Sequence, residues 1–383
     1  MLDIDKIYYN GESNFVKAYR GIELLWDSTF EMIYIVFTAN NDSQVGAKIT
    51  GTLTNRPNVE YSLDKTNWYD LLTHTVSLST GQQMYIRGKN TESFSIDNGN
   101  YFSFTIIGDV TIEQGNLWNL YDYELFNYGG LPTYLPTDFY FKGLFKGCTG
   151  LTNINGIILP YVNTRSVYHS LFMDCTQLSN VNTNVINDVV ANLSNNYTQA
   201  QDTFNSAFRG CSSLTNTPTL TIQNKYLPNQ TFANMFYNCR NLTDISNIDF
   251  TREKTVYAGS NAFASMFRYT GITSTPDLST IARIKSGGMQ YMFSNCPNLT
   301  SATVGKSGMI TTDNANDEFK YMFSNCPKLN YIKFNLGSAY INESALENWT
   351  LNVATEGTFA THYESSYSRG VNGIPENWVV QTT

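Results

Sequence analysis

The chain has 383 residues, of which 42% are hydrophobic, 14% aromatic and only 15% charged, against about 25% charged in an average soluble domain. An aromatic load that includes 26 Tyr and 23 Phe excludes wholesale disorder, and the length leaves room for more than one domain. A net charge of −8 excludes a general attraction to nucleic-acid phosphates or anionic lipid.

The N-terminus, MLDIDKIYYNGES, carries two acids before its first Lys and no apolar stretch after it, so no secretory signal is expected. No run of 18 apolar residues predicts a membrane-spanning helix. The first thirty residues read as a separate unit of two hairpin-like strands, with turns at Asn10-Gly11 and Arg20-Gly21. From residue 31 to 115 the pattern changes. MIYIVFTA, AKITGTL, VEYSLDKTNWYDL, HTVSLST, QMYIRGKN and YFSFTIIGDVTI alternate apolar and polar residues between polar turn clusters. Six or seven strands at this spacing predict an immunoglobulin-like β-sandwich. Tyr61 and Trp68 are assigned there to packing rather than to a sugar platform. Residues 116–140 are aromatic, with Pro132 and Pro136, and suit a cap over the first unit of a stacked array.

From residue 141 the chain repeats itself. All six cysteines sit in the string apolar-Phe-x-x-Cys-x-x-Leu: LFKGCTGL from Leu144, LFMDCTQL from Leu171, AFRGCSSL from Ala207, MFYNCRNL from Met235, MFSNCPNL from Met292 and MFSNCPKL from Met322. A degenerate copy, MFRYTGIT from Met266, has Thr270 in place of Cys. Successive Cys positions lie 27, 36, 28, 31, 26 and 30 residues apart, the spacing of stacked-repeat proteins. Another large residue stands four before each motif Phe: Phe141, Tyr168, Phe204, Phe232, Phe263, Met289 and Phe319. Apolar positions at i, i+3 and i+4 predict a short helix. Gly147, Asp174, Gly210, Asn238, Asn295 and Asn325 stand just before Cys, where a left-handed residue ends a helix. LTNINGI, LTDISNI and LNYIKF then alternate like short strands. The cysteines read as small buried residues, since no C-x-x-C pair or His-Cys cluster suggests zinc.

Residues 141–335, with their F-x-x-C-x-x-L-T strings, resemble the BspA-type leucine-rich repeats. That resemblance implies a leucine-rich-repeat fold and leaves function open, because such repeats occur in bacterial adhesins, parasite surface proteins and phage structural proteins. The N-terminal string Tyr9, Gly11, Lys17, Tyr19, Gly21, Leu24 and Trp26 resembles short segments that precede a structural domain in phage virion proteins. The C-terminal segment with Gly373-Ile374-Pro375 and Trp378 resembles the cap of relatives from Bacteroidales and their phages. The elements together predict an α+β multidomain chain: a hairpin attachment unit (1–30), an Ig-like sandwich (31–115), an α/β leucine-rich-repeat solenoid of about seven coils with its aromatic cap (116–345), and a C-terminal cap (346–383).

Nothing in the sequence assembles a catalytic constellation. His74, His169 and His362 fall in different units, and no zincin, nucleophile-elbow, Walker or dinucleotide string occurs. NANDEF and NNDS lack the carboxylate ladder of a calcium loop. The expectation is a non-enzymatic protein with no cofactor or metal, no nucleic-acid partner and no membrane insertion. Three functions compete: a phage virion component, a bacterial adhesin of BspA type, and an ancillary sugar-binding module. The leading expectation is a head fibre, capsid decoration or tail component. It would be assembled in the host cytoplasm as a homo-oligomer on capsid, portal or tail proteins. Tyr8, Tyr9, Phe15, Tyr19, Leu24 and Trp26 are the candidate attachment residues. Asn153, Asn180, Asp244, Ser301 and Tyr331, which come two residues after the motif Leu, are the candidate outward stripe for a host protein or glycan, with a solvated spacer face as the alternative.

Overall fold

The computed structural model describes residues 6–9, 15–20, 23–27, 34–128, 131–179, 181, 186–193, 196–250, 255–305, 310–311, 316–334, 336 and 344–383. In 6–9, 15–20, 23–27, 127–128 and 310–311 the backbone alone is described. Three N-terminal strands, β1 (Lys6–Tyr9), β2 (Phe15–Arg20) and β3 (Glu23–Asp27), form an antiparallel sheet of order β1-β2-β3. The two turns read from the sequence thus separate three strands rather than two.

Eight strands come next: β4 (Ile35–Ala39), β5 (Ser43–Thr50), β6 (Val59–Ser62), β7 (Tyr69–Asp70), β8 (Val76–Leu78), β9 (Gln83–Gly88), β10 (Tyr101–Ile107) and β11 (Val110–Asn116). One sheet has the order β10-β5-β8, and the other runs β11-β4-β9-β6-β7. Alternation sends Phe37 from β4 and Phe104 from β10 into the space between them, with ring centroids 5.4 Å apart and edge to face. At the β11 edge the second sheet continues in parallel pairing with β12 (Leu151–Asn153) and β13 (Ile157–Ile158), the first strands of the repeat region.

The repeat strings are not helical. Each is a run of turns in which every fourth residue has positive φ: Gly143 and Gly147 (68° and 78°), Asn234 and Asn238 (54° and 63°), Tyr321 and Asn325 (54° and 59°). The residue before each Cys is left-handed in every copy. Backbone donors alternate between two uses. Cys148 N–H closes a turn onto Phe145 O at 3.1 Å, while Phe145 N–H crosses to Leu171 O of the next coil at 2.9 Å. The same crossing recurs from Phe172 to Ala207, Phe208 to Met235, Phe236 to Met266, Phe267 to Met292, Phe293 to Met322 and Phe323 to Trp349. Local and lateral bonds together satisfy the buried backbone, which a separate helix per repeat would do without tying one coil to the next.

Stacking puts equivalent side chains in files. Phe104, Phe145, Phe172, Phe208, Phe236, Phe267, Phe293 and Phe323 succeed one another with centroids 5.1–5.7 Å apart and interplanar angles of 22° or less. Trp349 ends the file 5.8 Å from Phe323. Its indole N–H donates to Gly373 O, and that of Trp378 donates to Ala354 O, so the C-terminal segment closes the last coil. Short parallel strands complete the coils. They are β14 (Leu220–Thr221), β15 (Tyr226–Leu227), β16 (Ile248–Asp249), β17 (Val256–Ala258), β18 (Ile281–Ile284), β19 (Ser301–Val304), β20 (Ile310–Thr311), β21 (Tyr331–Phe334), β22 (Thr358–Thr361) and β23 (Val379–Thr382). The α-helices among the described residues are few and short: α1 (Trp118–Tyr121), α2 (Tyr123–Tyr128) and α3 (Asn187–Ala191), the last inside the 36-residue repeat interval. The chain is mostly β.

All six cysteines are buried and unbridged. Each thiol donates to the carbonyl of the preceding Phe in the file, at 3.1–3.2 Å: Cys148 to Phe104 of β10, Cys175 to Phe145, Cys211 to Phe172, Cys239 to Phe208, Cys296 to Phe267 and Cys326 to Phe293. Burial raises the thiol pKa of Cys148, Cys175, Cys211 and Cys239, which removes the reactive thiolate. Native protein exposed to a thiol reagent should therefore remain unmodified over times in which the denatured chain reacts at all six positions. Rapid labelling of most of them in the folded state would rule out the stacked interior.

Candidate functional site

Two strands that follow a motif Leu, β19 and β21, have one side in the core and one side out, whereas after Leu214 and Leu242 the expected strand is reduced to an isolated bridge between Asn216 and Asp244. In β19, β21 and β22 the parallel register sets Ser301 beside Tyr331 and Tyr331 beside Thr358, and β23 adds Val379 beside Thr358. Ser274 extends the row by a bridge to Ser301. Ala302, Ile332 and Phe359 alternate inward and are buried. A second outward row runs from Thr303 to Lys333 in the same register. The result is a polar, nearly uncharged face.

Of the five stripe residues, the structure brings Ser301 and Tyr331 together as neighbours. Asp244 stands next to Asn216 in an isolated bridge of an earlier coil, and Asn153 lies on β12. Both spend their side chains on their own turns: Asn153 Oδ1 accepts from Asn155 N–H at 2.7 Å and Asp244 Oδ1 from Ser246 N–H at 2.9 Å. Hydrogen bonds from the Ser246 hydroxyl and then from its backbone N–H hold the Asp244 carboxyl below its usual pKa. Asn180 lies outside the described residues. In the N-terminal sheet, Tyr8 pairs with Lys17, Tyr9 with Phe15, Tyr19 with both Lys6 and Leu24, and Ala18 with Trp26. The six attachment candidates thus share one three-stranded sheet, although their side chains lie outside what is described.

Tyr61 is buried, and Trp68 packs against Tyr34 at 5.0 Å with the Arg87 guanidinium over its ring at 4.0 Å. Arg87 is itself held by Glu60 at 2.8 Å. The indole face is therefore covered. On the turn side of the coils sits a row the sequence did not reveal. Arg268 lies 4.6 Å from the Tyr291 ring and 5.2 Å from Tyr269, and Tyr291 stacks on Tyr321 at 4.9 Å.

Among the described residues the titratable groups do not converge on a reaction centre. His74 is exposed between strands, with Nδ1 2.8 Å from Thr73 Oγ1. Burial drives His169 down to about 3 and Lys142 down to about 8, and Lys142 Nζ is held by Asn98 Oδ1. No group of three His, Cys, Asp or Glu able to hold a metal occurs among the described residues. A shallow 470 Å³ depression between β5, β8 and the end of β10 is lined by Asp42, Ser43, Ser77 and Gly108. It gathers no acid–base pair.

Glu318 is the outlier. It is 1% exposed, and both carboxylate oxygens are buried with no hydrogen-bond partner among the described residues. Burial raises its pKa. The folded chain therefore holds this proton above the unfolded value of about 4.3, and stability falls as pH rises from there through the folded pKa. Glu318→Met should stabilise the protein at neutral pH by about 1–3 kcal/mol and flatten that part of the pH profile of urea unfolding. A destabilised variant would mean that the carboxylate has a structural partner.

No curated protein matches the sequence. Among solved structures, the chain is similar to a leucine-rich cell surface protein from Faecalibacterium prausnitzii A2-165. The identity is 12%, over 72% of this chain and 91% of that one, with a TM-score of 0.16. The family described as the BspA type leucine rich repeat region matches residues 141–281, 190–317 and 233–366. These segments cover more than half of the chain and coincide with the coils that the Phe and Cys files hold together: the protein belongs to the BspA-type leucine-rich repeat family.

Proposed function

We propose that the protein is a non-catalytic binding protein displayed on a surface. Its coil stack acts as a solenoid that offers a strand face to a protein or glycan, and its N-terminal sheet acts as the attachment device. The observation that carries this reading is the lateral hydrogen bonding repeated from Phe104 to Trp349, which fixes a row of outward residues such as Ser301, Tyr331 and Thr358 on a rigid core. Stacked-repeat proteins use such surfaces for extended contacts. On this reading the two facing sheets of residues 34–116 are an immunoglobulin-like spacer, and the layout is attachment unit, spacer, solenoid and cap.

Two carriers fit. Family membership favours a bacterial cell surface, with the protein as an adhesin. The N-terminal segment favours a phage virion, with the protein as a head fibre, capsid decoration or tail component. Its three strands pair with no other described strand, and so small a sheet gains stability by packing on a partner. Antibody labelling of intact cells and mass spectrometry of purified phage particles separate the carriers. The protein should be found on one of them, and deleting residues 1–28 should abolish attachment while the solenoid stays folded. Recovery only as free intracellular protein, or normal attachment of the truncated chain, would overturn the reading.

A further inference from the structure

A different sheet, β15-β17-β18-β20, carries a row of another chemistry. Tyr226, Tyr257 and Arg283 are successive partners in its parallel register, one from each coil. Alternation turns Leu227, Ala258 and Ile284 into the core and leaves these three on the outer side, with the rings half-buried and Arg283 exposed. Tyr197 continues the row from the preceding coil, whose carbonyl accepts from Asn229 N–H at 2.7 Å. The ring centroids of Tyr197 and Tyr226 are 5.5 Å apart and those of Tyr226 and Tyr257 are 5.1 Å apart. Two lysines lie over the rings, Lys285 Nζ at 3.6 Å from Tyr197 and Lys225 Nζ at 5.2 Å from Tyr257. No described carboxylate forms an ion pair with Lys225, Arg283 or Lys285. In a chain of net charge −8, three cations with no carboxylate partner among the described residues gather on one tyrosine row.

We propose that this row binds an acidic polysaccharide, one bearing a uronate carboxylate or a sulfate ester along its sugar rings. The inference rests on the reading that the stack is a binding surface, but it uses a different sheet from the Ser301–Tyr331 row. Tyrosine rings offer apolar area to the C–H faces of sugars while the phenol keeps a polar edge. Arg283 presents a planar fork suited to carboxylate or sulfate oxygens, and the lysines act as mobile point charges. An ammonium–ring contact near the surface is weak, so a sugar ring displaces the lysines at small cost and keeps their charge beside its anion. The rings recur once per coil, which matches a polymer that repeats ring and anion together. An acidic peptide would meet the cations and leave the rings unused.

The test is affinity electrophoresis of the full chain in gels containing polygalacturonate, dextran sulfate, neutral dextran or poly-glutamate. Retardation is expected with polygalacturonate or dextran sulfate, whichever anion the row prefers, and with neither dextran nor poly-glutamate. The Tyr226→Ala/Tyr257→Ala and Lys225→Gln/Arg283→Gln variants should each lose at least tenfold in affinity with thermal unfolding nearly unchanged. Tyr134→Ala, at an exposed tyrosine outside both rows, should bind as wild type. The charge variant, altered only at exposed residues, keeps the test valid if the tyrosine variant folds poorly. Absence of retardation, equal retardation by poly-glutamate, or unaltered binding by folded variants would overturn the proposal. Surface attachment by the same variants, measured in parallel, tells whether the display reading survives that outcome.

Discussion

Replacing Phe236 with alanine should destabilise the protein by about 3–5 kcal/mol. Phe236 is fully buried and lies in the middle of the file, 5.7 Å from Phe208 and 5.6 Å from Phe267. Truncation removes the ring from both stacks and leaves a cavity that the flanking coils cannot close, because their backbones are tied laterally at Phe208 N–H to Met235 O and Phe236 N–H to Met266 O. Nearest-neighbour coupling in repeat arrays spreads the loss to the adjacent coils. Hydrogen exchange should therefore accelerate on both sides of residue 236 while the sheets of residues 34–116 keep their protection. Phe236→Leu, which fills most of the space, should cost less than half as much. A loss under about 1.5 kcal/mol for the alanine variant would mean that the file is not the core of the stack.

The repeat was legible because one string carries three interior positions at once: Phe for the file, Cys for the carbonyl of the preceding coil, and Leu for the start of the strand. Its local conformation was less so. Apolar residues at i, i+3 and i+4 fit a 3.6-residue helix and a four-residue turn period equally well. The discriminating signal is Gly, Asn or Ser at a spacing of four, as in Gly143 and Gly147 or Asn234 and Asn238. Tyr291 and Tyr321 obscure it, since bulky residues rarely take positive φ. Ser301 and Tyr331 fall side by side because their strands are regular. Asn153 and Asp244 lie on other coils, where each short polar side chain bonds the backbone two residues on. The Tyr197, Tyr226, Tyr257 and Arg283 row lies outside the motif at intervals of 29, 31 and 26 residues, and only the stacking of the coils aligns it.

The join between the two halves left no motif, yet it sets the sharpest constraint in the chain. Gly156 should not tolerate even alanine. A Cβ there would lie 1.8 Å from Glu113 O and 2.5 Å from Gln114 N, both backbone atoms of β11. Gly156 N–H donates to Ile112 O at 3.1 Å and its carbonyl accepts from Gly115 N–H at 3.0 Å, so the clash falls on the bonds that dock β13 onto β11. Relief requires the first coil to move off the sheet, at the overpacking cost of about 1–3 kcal/mol and about 1 kcal/mol for each lateral bond lost. Gly156→Ala should therefore unfold at lower urea concentration, with exchange protection lost first at residues 112–116 and 156–158. Gly147→Asn is the matching control. Gly147 has open space beyond its Cα and a φ of 78°, and asparagine fills the equivalent place at Asn238, Asn295 and Asn325 with φ of 59–63°. That change should cost under about 1 kcal/mol. If Gly156→Ala is as mild as the control, the β11–β13 contact is not what couples the sheets to the coils.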